Sequence, residues 1–267
     1  MPSYNLKIIN YAHSTKFVRY SKPVEYDMKQ PEAFPDGTGD VPDDEDGTSP
    51  ASLSDAARAF RTKEMEEHSM KVSLNRTKNA IYDLAKSNDW EWFATFTFDP
   101  KRYDSTDYDA VVKLLKRFID NVRKNYAPDL VYLIVPELHA DGRKFHFHGL
   151  LSGTGCMDFA PSGIPDSDGE MIYNVLQWKY GFSSATQIKD TVRASAYVTK
   201  YITKDCVQHT KHKRRYLASR NIKRPAVEKL NTEHDVQDIC GIYHPGFLNS
   251  VDVVPAHRKV TFMEVDD

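Results

Sequence analysis

The chain has 267 residues, with 36 Lys+Arg against 38 Asp+Glu, 40% apolar and 12% aromatic, which suits one large globular domain or one domain with appendages. No run approaches the roughly 18 uncharged apolar residues of a membrane span, and the opening MPSYNLKIIN lacks a basic stretch followed by an apolar one, so the expectation is a soluble, cytoplasmic protein with no membrane partner. Three cysteines, Cys156, Cys206 and Cys240, are odd in number and have no CxxC spacing, which excludes a disulfide framework.

In chain order, LKIINYAH and KFVRYS within residues 1–30 read as strands, and residues 31–50 concentrate proline, glycine and acid and read as a disordered linker. Residues 52–89 have a helical pattern, with Leu74, Ile81, Leu84 and Ala85 near the 3.6 period. WEWFATFTF (90–98) is a buried strand closed by Asp99 and Pro100. Thr106 and Asp109 have capping-box spacing and open a helix whose apolar face is Val111, Leu115, Phe118 and Val122. LVYLIV (130–135) and KFHFHGLL (144–151) are strands separated by the turn-like HADGR, and residues 152–169 form a loop. IYNVLQWKYG reads as a short helix, FSSATQI as a fourth strand, and Asp190 caps a helix through TVRASAYVTKYITK. That order predicts an α+β fold, an antiparallel sheet with helices on one face, rather than parallel βαβ units. The domain reading is an N-terminal extension with acidic linker over 1–50, a core domain over 51–206 led by the helix at 52–89, and a C-terminal extension over 207–267 that begins basic.

Charge is segregated although the total is only -2. Residues 1–55 carry 5 basic and 10 acidic side chains, residues 193–224 carry 10 basic against Asp205 alone, and residues 225–267 carry 3 against 8. The basic block has the local field that attracts phosphate backbones. Just before it lie the residues with chemistry. A strand's side-chain period is two, so His146 and His148 share one face while Phe145 and Phe147 take the other. The pair can offer one divalent ion two nitrogens, with a third ligand from the adjacent strand. Glu137 is the best candidate and His139, in the turn, the weaker one. Tyr197 and Tyr201 lie four apart on the expected helix, with Lys200 and Lys204 at the same offset. A phenol is a weak nucleophile at neutral pH, and a neighbouring ammonium stabilises both phenolate and developing phosphate charge.

Taken in order, FATFTFD, Glu137 with HFH, and YVTKYITKD resemble motifs I, II and III of the HUH endonucleases, specifically the rolling-circle replication initiators of phages and plasmids. The resemblance covers residues 73–205. It implies a ferredoxin-like core, related to an RRM-like sheet, a Mg²⁺ or Mn²⁺ ion, and nicking of a single-stranded DNA origin, plain or hairpin, through a 5′-phosphotyrosine with a free 3′-hydroxyl. Residue by residue, His146, His148 and Glu137 match the metal ligands, Tyr197 and Tyr201 the tyrosine pair, and Lys200 the lysine between them. Conjugative relaxases usually place the tyrosine before the histidines, so the order here favours replication initiation. No GxxxxGK[ST] loop is present, so no nucleotide is expected and a host helicase and polymerase are the expected partners. Lys211, Lys213, Arg214, Arg215, Arg220, Lys223 and Arg224 are then the candidate DNA-backbone contacts. Trp90, Trp92 and Trp178 read as core before stacking platforms. The alternatives are a relaxase or transposase-like relative, a non-catalytic single-stranded nucleic-acid-binding sheet, and a zinc-stabilised tail from Cys206, His209, Cys240 and His244.

Overall fold

A computed structural model describes residues 2–25, 55–210, 213–253 and 257–266; side chains are described in these except at 55–64 and 204. The acidic linker at 31–50 and Lys211 lie outside the described residues. In chain order the elements are β1 (Ser3–Asn10), β2 (Ser14–Glu25), α1 (Asp55–Lys86), β3 (Trp92–Phe98), α2 (Tyr108–Asn125), β4 (Val131–Leu138), β5 (Phe145–Ser152), β6 (Phe159–Pro165), β7 (Met171–Val175), β8 (Gly181–Gln187), α3 (Thr191–Val198), a 3₁₀ turn (Thr199–Tyr201), α4 (Lys204–His209), β9 (Leu217–Ala218), β10 (Ala226–Leu230), α5 (Val236–Tyr243), β11 (Phe247–Val253) and β12 (Arg258–Asp266). The fold is α+β and antiparallel, as the element order predicts, with two sheets where one was expected.

The chain forms two compact units, one of residues 35–85 and 90–222, the other of 1–34, 86–89 and 223–267. In the first, seven strands run in the order β6-β7-β8-β3-β5-β4-β9, an open sheet of the ferredoxin-like kind with helices packed on it. Alternation divides its side chains. Ala94, Phe96, Phe98, Ile134, Phe145 and Phe147 face α2, which buries Val111, Leu115, Phe118 and Val122 against them. This face carries the expected helix. The other is covered in part as well: Leu133, Val135 and Leu150 pack with Ile81 and Leu84 of α1, Val198 of α3 and Val207 of α4. Burying the larger of these side chains is worth roughly 1.5–3 kcal/mol each. On the α2 face Gly149 permits close packing, since a Cβ there would lie 3.1 Å from Ile134 Cγ1 and 3.7 Å from Phe96.

Three local expectations are corrected. α2 is capped by Asp107, whose carboxylate accepts from the Asp109 and Ala110 amides, rather than by Thr106, whose hydroxyl donates to Asp104. Residues 159–165 and 171–175, read as loop and helix, are the paired strands β6 and β7. Tertiary pairing with β8 overrides the weak helical pattern of IYNVLQWKYG. Finally, the helix begun at Asp190 does not run to Lys204: it tightens to a 3₁₀ turn at Thr199, Ile202 is extended, and Thr203 caps a new helix by accepting from the Cys206 amide.

In the second unit the order is β10-β1-β2-β12-β11, so strands from both ends of the chain form one sheet. Ile239 of α5 packs on one face with Leu6, Phe17 and Met263, while Ile9, Tyr11, Val18 and Val260 cluster on the other. Lys86 is buried there and paired with Glu264, and burial lowers its pKa.

Candidate metal and tyrosine site

The register builds the site. β4 and β5 pair with Glu137 opposite His146 and Val135 opposite His148, while β3 places Thr95 opposite His148. Glu137, His146, His148 and Thr95 therefore share the sheet face on which α3 packs. Both imidazole Nε2 atoms converge on Glu137 Oε2, at 2.6 Å from His146 and 2.7 Å from His148. Ligand atoms of the three residues lie within 4.8 Å of one another, and this is the group among the described residues that could hold a metal ion. Thr95 Oγ1 lies 3.0 Å from His148 Nδ1, which orients that ring and leaves Nε2 for the cluster. His146 Nδ1 is buried without a partner. Burial lowers the pKa of His146 and takes that of His148 down to about 4, against the raising effect of Glu137. Both rings are therefore neutral near pH 7, the form in which imidazole donates to a metal. Two nitrogens and a carboxylate oxygen fit a divalent transition ion better than an all-oxygen Mg²⁺ site. His139 lies edge-on to His146 at 4.3 Å, a neighbour rather than a member of the converging set.

The tyrosines come to this cluster although the helix between them changes type. The Tyr201 ring stacks on His148 with centroids 3.6 Å apart and planes at 17°, and Tyr197 meets it edge-on at 5.4 Å. Phe93 lies beneath all three, 5.8 Å from His148, 5.5 Å from Tyr197 and 5.9 Å from Tyr201. Burial, a hydrogen bond with Tyr197 and the nearby Glu137 hold the Tyr201 phenol above its ordinary range. Lys200 Nζ sits over the Tyr197 ring at 4.8 Å. Lys204 opens α4, so the helical offset pairing it with Tyr201 is not kept; its side chain lies outside the described ones. Thr95 and Phe93 join the site through tertiary contacts, in addition to the ligands and tyrosines that the motifs assign. FATFTF carries the signal for them: period two puts Phe93, Thr95 and Thr97 on the face opposite Ala94 and Phe96.

The basic block is dispersed. Arg214 and Arg220 are exposed in the first unit, and Lys213 pairs with Asp109 at 2.8 Å. Lys223 and Arg224 are exposed in the second unit. Arg215 is buried, its guanidinium donating to Ser73 and to Thr77 Oγ1 of α1, and so is placed inside the fold rather than on a surface. All three cysteines are free. Cys206 is buried, its thiol pKa pushed up to about 12 by burial, and its Sγ donates to the Pro136 carbonyl. Cys240 contacts Met263 Sδ at 3.8 Å in the other unit. Trp90 and Trp178 are buried and donate to the carbonyls of Ala85 and Thr97, and Trp92 stacks on Phe159 at 3.9 Å.

Residues 91–206 match the family model described as replication-associated protein ORF2/G2P. The matched stretch contains every residue of the cluster and both tyrosines, and this similarity supports a replication-initiator role. No curated protein and no solved structure matches the chain. No described helix is long and apolar enough to cross a membrane.

Proposed function

We propose that the protein is an HUH-type rolling-circle replication initiator, a metal-assisted endonuclease and strand transferase acting on a single-stranded DNA origin. The observation that carries this reading is the meeting of two tyrosines with the Glu137, His146 and His148 cluster, the Tyr201 ring lying flat on His148. Of the two ions expected, Mg²⁺ and Mn²⁺, the two imidazole nitrogens favour Mn²⁺, which, held by these three side chains, would supply the positive charge that polarises the scissile phosphate. Tyr197 is the first nucleophile in this reading: Lys200 stands over its ring, whereas burial and Tyr197 itself disfavour ionisation of Tyr201. Its phenolate oxygen attacks phosphorus, forming the Tyr–O–P bond as the P–O3′ bond breaks, and the departing 3′ oxygen takes a proton to become the primer hydroxyl. Tyr201 then provides a second acceptor for the transfer that rejoins the strand. Arg214, Arg220, Lys223 and Arg224 are the exposed candidates for backbone contacts, and strand separation and synthesis fall to a helicase and polymerase of the host.

The test is incubation of the protein and Mn²⁺ with single-stranded oligonucleotides carrying origin sequence, followed by denaturing electrophoresis. A covalent adduct on the new 5′ end, lost with EDTA, is expected. Failure to form any adduct, with tight binding to the same strands, would instead favour a non-catalytic single-strand-binding domain.

A further inference from the structure

Beyond the cluster the same sheet face continues across two more strands. The pairing of β3 with β5 ends at Phe96 opposite Phe147, and Thr97, next on β3, pairs with Phe182 of β8. One rung of the sheet runs Val135, His148, Thr95, Ser184, and two residues along each strand on the same face come Glu137 paired with His146 and Thr97 paired with Phe182. Strand spacing puts Ser184 about 10 Å from His148 along that rung, with Phe182 two residues away on β8. α1, α3 and α4 cover the β4 and β5 end of this face, and neither buried cluster of the unit includes Phe182 or Ser184. Phe182 is 73% exposed, more than any other large hydrophobic side chain among the described residues. Its backbone is paired with Thr97. Gly181 pairs with Phe98 and packs so closely on the end of β3 that a Cβ would run into the Thr97 carbonyl and the Asp99 amide, so this start of β8 requires glycine. Exposed Lys101 and Arg102 follow in the turn after β3.

An exposed aromatic ring on a paired strand, with hydroxyls on the same face and cations in the turn that follows the neighbouring strand, offers what an unpaired base needs: a flat apolar face, with charge for the phosphates. We infer that Phe182 is a base-stacking residue that positions a nucleotide flanking the scissile phosphate. This rests on the proposed nuclease reading for the nature of the strand, and on the rung geometry for the place. A phosphate at the cluster and a base on Phe182 are separated by a distance that a short stretch of single strand spans, with Thr95, Thr97 and Ser184 lining the way. Phe182 thereby sets which phosphate reaches the tyrosines.

The test uses the full chain and fluorescein-labelled oligothymidylate, with fluorescence anisotropy as the readout and no cleavage required. Phe182→Ala is expected to weaken binding about 5- to 150-fold, Phe182→Trp to retain it, and Phe182→Leu to behave like the Ala variant. A second series moves one abasic site along the strand. At the stacked position the lesion should weaken the wild type and leave Phe182→Ala unaffected, so that the two losses do not add. Melting temperatures of the variants establish that the exposed position leaves the fold intact. Wild-type affinity in Phe182→Ala, or full rescue by Leu, overturns the stacking role while leaving the nuclease reading in place. Loss of self-association in Phe182→Ala with unchanged DNA binding overturns it in favour of a protein-docking face. Absence of a covalent adduct on the wild type, with the abasic pattern intact, overturns the nuclease reading alone.

Discussion

At the scale of single residues, the site depends on two imidazoles kept neutral. An unfolded histidine titrates near pH 6.5, whereas His148 is lowered to about 4 by burial and His146 is lowered for the same reason. Between those values the unfolded chain binds the extra proton, so stability rises with pH across the window and is lost as pH falls through it. Metal-free protein is therefore expected to lose about 2 kcal/mol between pH 7 and pH 5 from His148 alone. Denaturant unfolding in EDTA at the two values checks this, and His148→Asn should flatten the difference; a flat wild-type profile would mean the ring titrates normally. The tyrosines make the second prediction. Tyr197→Phe should lose most initial nicking, and Tyr201→Phe should nick but fail to close the circle. Peptide mass spectrometry of the trapped adduct decides between them, and an oligonucleotide found on Tyr201 alone reverses the order.

At the scale of elements, composition points to a surface at Arg215 and packing points inward. The charge run makes it one of several cations for DNA, yet its guanidinium donates into α1 at Ser73 and Thr77. Arg215→Ala should cost about 1–3 kcal/mol of stability through the polar groups left unpaired. The salt dependence of single-strand binding should stay unchanged. Arg214→Ala should do the reverse, reducing the slope of log K against log salt by about 0.7 with stability within about 0.5 kcal/mol. Equal slopes in the two variants would contradict this division. The cap of α2 gives a second comparison at this scale. Asp107→Ala should cost about 1 kcal/mol and Thr106→Ala much less, because Asp107 accepts the first-turn amides. Thermal denaturation of the pair tests it.

At the scale of the whole molecule, one sheet joins the two ends of the chain: β1 pairs with β10, and β2 with β12. Removing residues 223–267 leaves β1 and β2 as a lone hairpin, which is marginal in water. Hydrogen exchange should show protection lost in Ser3–Asn10 and Ser14–Glu25 of the truncated chain; retained protection would mean that the hairpin holds itself.

The sequence alone determined what local periodicity can carry. The period of two in HFH, the apolar stripe of α2 and the four-residue spacing of the tyrosines each depend on neighbours within a few positions. From these follow the residue types of the site, its order along the chain and the antiparallel α+β class. Tertiary structure decided the rest, because the deciding partners are far apart in sequence. Thr95 bonds to a histidine 53 positions away, and β6 and β7 become strands only because β8 and β3 extend a sheet for them. Arg215 turns inward to hydroxyls 138 and 142 positions earlier. The helix break at Ile202 belongs here too: the buried Ile202 packs with Leu133 and Leu150, and Thr203 starts a new helix. Periodicity continues a helix through that point, and long-range burial ends it.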